Sequence, residues 1–115
     1  MKVKAILIDA KNATVKLVEL EDRDSLDEMY KLIDCKTIEA IRPRELRGSD
    51  ALYVDEEGLL HDPPLPHWFQ LPSYPQVLAG NGLICGTDEE GYLADVKTPL
   101  ASIAKSIEFL RGGDL

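Results

Sequence analysis

Short apolar runs, cut at close intervals by turn residues, set the tightest limit on what this chain can fold into. The first, Val3 to Asp9, contains Ala5, Ile6, Leu7 and Ile8, and Ala10-Lys11-Asn12-Ala13 suits a turn before Thr14 to Leu20 resumes with Val15, Leu17 and Val18. Runs this short, bounded this way, predict a β-hairpin rather than long helices. Thr37 to Arg42 reads as a third strand, ended by Pro43, and Asp50 to Asp55 as a fourth. Glu57-Gly58 then supplies a tight turn into a short return strand at Leu59-Leu60, which would make a second hairpin. Val77 to Thr87, with Leu83, Ile84 and Cys85 among Gly80, Gly82 and Gly86, predicts a strand bent at its glycines. Asp88-Glu89-Glu90-Gly91 turns it back into Tyr92 to Val96.

Two segments carry helical spacing instead. Ser25-Leu26-Asp27-Glu28 has the arrangement of a capping box, in which the serine hydroxyl and the glutamate satisfy early helix amides, and Leu26, Met29, Leu32 and Ile33 fall on one face before the helix ends near Asp34. Thr98-Pro99 offers an N-cap followed by proline at the first helical position. Leu100, Ile103, Ala104, Ile107 and Leu110 continue as an apolar stripe closed by Gly112-Gly113, with residues 112–115 expected as a frayed tail. Between strands and helices, His61 to Pro75 holds Pro63, Pro64, Pro66, Pro72 and Pro75, which remove amide donors and predict a surface loop. Its rings, His67, Trp68, Phe69 and Tyr74, would either cap the core or form a contact surface. The expected fold is therefore α+β: a small, mainly antiparallel sheet built from hairpins, one helix after the first hairpin and a C-terminal helix packed on the sheet.

At 115 residues there is room for one hydrophobic core, so 1–115 is read as a single domain. The 44% of apolar residues suffices to build it. With 21 acidic against 13 basic side chains, the net charge of -8 repels nucleic-acid backbones and anionic membranes and favours a basic partner. The apolar stretch near Met1 is too short for a signal peptide or a membrane span, so the chain is expected in the cytoplasm. Cys35 and Cys85 are not closely spaced, as reduced thiols of a cytosolic protein would be.

Residues 54–62 and 87–95 match at six of nine positions, Asp-Glu-Glu-Gly included. A duplicated hairpin would produce this, and so would the ordinary chemistry of exposed turns. Neither segment has the alternating acidic order of a calcium loop, so no metal and no cofactor is expected. His61, His67 and Asp62 are candidates for an acid–base pair, although the prolines between them define no geometry. No catalytic residue is assigned. Arg42, Arg44 and Arg47 form the basic cluster of an acidic chain and are the candidate site for an anion or nucleotide, unless they balance the protein's own carboxylates.

Ala51 to Leu60, followed after the proline-rich stretch by Leu78 to Asp88, resembles a family of small phage, plasmid and bacterial proteins catalogued as a domain of unknown function. The similarity runs from Ile38 to Asp95. Members commonly carry an asparagine after the Asp-Glu-Gly-Leu-Leu turn, where this chain has His67 or Gln70. The resemblance implies a mobile-element setting and transfers no catalytic residue. Together these features lead to the expectation of a non-catalytic binding protein, an anti-defence factor that engages a basic host protein or sequesters a nucleotide signal. Partner contacts are expected at Asp55, Glu56, Glu57, Trp68, Phe69, Asp88, Glu89 and Glu90, with association into a homodimer or higher oligomer. The competing expectation is a small hydrolase or transferase that uses His61 or His67.

Overall fold

The run Ala5–Ile8 is uninterrupted because both faces of its strand are buried. In the computed structural model, which describes residues 1–111, strand β1 (Lys2–Asp9) forms a hairpin with β2 (Thr14–Glu21) through the expected turn. Helix α1 (Leu26–Ile33) follows, then β3 (Ile38–Ile41) and β4 (Ala51–Asp55), paired with each other, and β7 (Gly82–Thr87) lies between β1 and β4. The main sheet has the order β2-β1-β7-β4-β3, every pair antiparallel, and β8 (Leu93–Ala94) pairs with the far end of β7. A second sheet, β6-β5-β9, is built from β5 (His67–Gln70), β6 (Leu78–Ala79) and β9 (Glu108–Arg111). Helix α2 (Leu100–Ser106) precedes β9. The α+β architecture is thus as expected, with one helix after the first hairpin and one near the C-terminus.

Period-2 alternation sorts the core into two layers. On one side of the main sheet, Ile6, Ile8, Leu52, Val54 and Ile84 pack with Phe69 and Leu78 of the second sheet and Ile103 of α2. On the other side, Val3, Ala5, Leu7, Leu83 and Cys85 pack with Met29 and Ile33 of α1. Gly82 marks the tightest passage: a Cβ there would stand 2.9 Å from both Leu52 Cδ1 and Phe69 Cζ.

Several local expectations are corrected. The capping box does not form; Ser25 has φ -95° and ψ 3°, outside the extended conformation that aims a capping hydroxyl at the helix, and Glu28 instead accepts from the Glu21 amide at 3.3 Å. Leu59-Leu60 is no return strand, because Gly58–Leu60 forms a 3-10 turn and β7 already occupies the edge of β4 that a hairpin would need. The two similar acidic segments therefore fold differently, one as this turn and one as the β7–β8 hairpin. His61 to Pro75 is not all loop: β5 lies within it, and Phe69 and Leu71 are fully buried. The bent strand at the glycines is two strands in different sheets, β6 and β7, parted by Gly80 at φ +83°. Finally, α2 stops at Ser106, and Glu108–Arg111 pairs with β5 so that Phe109 faces Phe69. Ile107 fits a helical stripe with Leu110 and a two-residue period with Phe109, and burial of Ile107 and Phe109 against the core decides for the second. Gly112, Gly113 and the predicted tail lie outside the described residues.

Candidate functional site

Asp55 closes β4 and organises the chain that leaves it. Its Oδ1 accepts from the Glu57 amide at 2.9 Å, and its Oδ2 lies 2.7 Å from His61 Nε2. An ionised carboxylate only accepts, so the imidazole donates from Nε2. The Asp55 side chain is 4% exposed and that of His61 38%, which leaves the pair buried at its carboxylate end and open at its ring. Sequence reading paired His61 with its neighbour Asp62; the 3-10 turn carries the ring back to Asp55 instead.

This pair lines a cleft of about 510 Å³, walled by Asp34, Cys35 and Lys36 after α1 and by Glu57, Leu60 and Leu65 opposite. Three carboxylates, Asp34, Asp55 and Glu57, face one ammonium, that of Lys36, so the cleft is electronegative. Asp34 adopts the left-handed conformation, φ +62°, at the C-terminus of α1. Glycine is the usual residue there, and a carboxylate at that end opposes the helix dipole. The Cys35 thiol is pushed up to about 11, first by burial and then by the charges of Asp55 and Asp34, so it holds little thiolate near neutrality.

His67 lies in β5 and lines a neighbouring cleft of about 340 Å³ with Asp9, Lys11 and Asn81. The two clefts share Asp34 and Leu65, but His61 and His67 do not line the same one. Asn81 braces this region, its Oδ1 accepting from the Ala10 amide at 2.9 Å and its amide donating to Leu32 O at 3.2 Å. Among the described residues no group of three or more His, Cys, Asp or Glu side chains is placed to hold a metal ion.

The expected partner residues separate in space. Asp55 and Glu57 stand at the cleft, whereas Asp88, Glu89 and Glu90 occupy the opposite end of the main sheet, because β4 runs antiparallel to β7 with Ala51 across from Cys85 and Val54 across from Gly82. The length of β7, roughly 17 Å, parts the two acidic groups. Phe69 is fully buried and cannot touch a partner, and Trp68 is half-buried with its indole N–H donated to Leu65 O. Arg42, Arg44 and Arg47 are exposed in one segment, and none of them lines the clefts described here. Arg42 donates to the carbonyls of Ser49 at 3.2 Å and Asp50 at 3.5 Å.

The fold and this cleft define a small antiparallel α+β domain with an acidic cleft at the C-terminal end of α1. The chain belongs to the family described as domain of unknown function DUF3846, whose model matches residues 1–107, so the resemblance drawn from Ile38 to Asp95 extends across nearly the whole chain. No curated protein and no solved structure matches it significantly. No helix among the described residues is long and apolar enough to cross a membrane.

Proposed function

We propose that the protein is a non-catalytic binding protein of a phage or plasmid, an anti-defence factor that engages a basic host protein through the cleft at the C-terminal end of α1. The observation that carries this reading is the cluster of Asp34, Asp55 and Glu57 facing Lys36 in one preformed cavity. Charge of this sign steers a cationic surface toward the cleft and repels phosphate. The mobile-element setting rests on the family resemblance. Asp34 supports the reading from a second direction: a carboxylate held in a strained conformation at the wrong end of a helix dipole costs stability, which binding would repay.

Calorimetry with an oligolysine peptide and a panel of cyclic and linear nucleotides tests it. The peptide should bind at low salt, weaken steeply as salt rises, and lose most of its affinity to Glu57→Lys. Nucleotide binding lost on replacing Arg42 and Arg44, with no peptide binding, would instead establish the sequestration mode.

A second reading, acid–base catalysis in a hydrolase or transferase, is favoured by the 2.7 Å contact of His61 with buried Asp55, since a carboxylate that orients an imidazole is a recurring device of general bases. Cys35 is poorly suited to supply a nucleophile to it, because burial first and the charges of Asp55 and Asp34 second suppress its thiolate. Any turnover abolished by His61→Ala and retained by His67→Ala would decide for this reading.

A further inference from the structure

We infer that the basic partner is held by an apolar side chain set between its lysines or arginines, and that Leu59 and Leu60 on the 3-10 turn are the anchor that receives it. This rests on the reading of the cleft as a contact for a basic protein and specifies what that protein must present. Leu59 and Leu60 are 57% and 77% exposed, a pair of adjacent large apolar residues turned to solvent. Single exposed leucines are ordinary on protein surfaces; a contiguous pair beside two concavities marks a contact.

The surroundings give the pair its specificity. Leu60 lines both the 510 Å³ cleft and a second concavity of about 290 Å³, so it forms the ridge between them. The second concavity carries Glu39, Asp55 and Glu56 among the apolar side chains of Val54, Val77 and Leu78, with no lysine or arginine in its lining among the described residues. An apolar ridge with carboxylates on both flanks is the complement of an apolar residue with cations on both flanks.

The ridge is also fixed in place. Leu60 N–H donates to Glu57 O at 2.9 Å, and Asp55 holds Glu57 from below. Gly58 is buried against β6, where an added Cβ would stand 3.2 Å from Ala79 O. A turn pinned at its start and underside presents its leucines without a large ordering cost on binding. A second copy of this chain is the wrong occupant, because joining the same face of two copies would set these carboxylates against one another in a chain of net charge -8.

Two synthetic peptides of equal charge test this on the full chain by calorimetry: lysines flanking a central leucine pair, and the same peptide with serine in place of the leucines. The leucine peptide should bind about tenfold more tightly, a difference of about 1.4 kcal/mol. Leu60→Ser should erase that difference, whereas Glu57→Lys should weaken both peptides alike, with circular dichroism confirming the fold of each variant. Equal binding of both peptides, or a leucine advantage that survives in Leu60→Ser, overturns the anchor while leaving the basic-partner reading intact. Binding of neither peptide at low salt overturns both. A dimer seen by light scattering and abolished by Leu60→Ser would assign the leucines to a second copy and overturn the proposal.

Discussion

Replacing Asp50 by asparagine removes the charge that joins the start of β4 to the entry of α2. Asp50 is buried, 2% exposed, and its carboxylate accepts from the Lys97 amide at 3.0 and 3.2 Å, the Thr98 amide at 2.7 Å and the Thr98 hydroxyl at 2.6 Å. Thr98 Oγ1 in turn accepts from the Arg47 amide at 2.9 Å, so the hydroxyl sequence reading gave to a helix cap is spent on this network. A hydrogen bond to a charged acceptor contributes roughly 1.5–3 kcal/mol, and a buried donor left without a partner costs a similar amount. Asparagine keeps one oxygen and turns an NH2 toward a donor. The expected loss is about 3 kcal/mol, a large part of the roughly 5–15 kcal/mol that holds a domain of this kind. Urea unfolding should show a midpoint lowered by about 2 M at an unchanged slope of roughly 1.5 kcal/mol/M. Asp95→Asn is the control: its carboxylate accepts from the Lys4 amide at 2.8 Å in an exposed setting and should cost under about 1 kcal/mol. A loss below 1 kcal/mol for Asp50→Asn would refute the staple.

Two further outcomes follow from the cleft. Asp34→Gly relieves the left-handed strain and removes a carboxylate from a helix C-terminus, so urea unfolding should show stability raised by up to about 1 kcal/mol while oligolysine binding weakens; a destabilised variant would contradict the assignment. With its thiol pushed up to about 11, Cys35 should alkylate slowly at neutral pH and faster as pH rises toward that value, whereas buried Cys85, pushed up to about 12, should stay unreactive until the protein unfolds; rapid alkylation of Cys35 at neutral pH, followed by mass spectrometry, would refute this.

Much of the fold was legible where one local rule had no competitor. The first hairpin, α1 and the strands β3 and β4 follow from periodicity and turn residues alone, whereas the pairing of β3 with β4 does not. Reading failed where tertiary burial chose between two local options. Ile107 and Leu110 fit a helix stripe, Ile107 and Phe109 a strand, and the edge of β5 took Glu108–Arg111 as strand. Leu59-Leu60 fits a return strand, and β7 had already paired with β4. Of the candidate site, sequence supplied Asp55, Glu57 and His61 but grouped the two carboxylates with Asp88, Glu89 and Glu90 and the imidazole with Asp62 and His67. Asp34, Cys35 and Lys36 arrive from the end of α1, across the sheet order, and only topology brings them to the cleft. One signal for Asp34 was available: an acidic residue where the apolar stripe ends and glycine or asparagine would be expected.

The claim that function resides at the acidic cleft meets its most direct test in an amide chemical-shift map of the full chain titrated with the leucine-bearing lysine peptide. Saturable shifts should cluster at Asp34 to Lys36 and Glu56 to His61. Shifts centred on Arg42 to Arg47 or on Asp88 to Gly91, with the cleft silent, would contradict it.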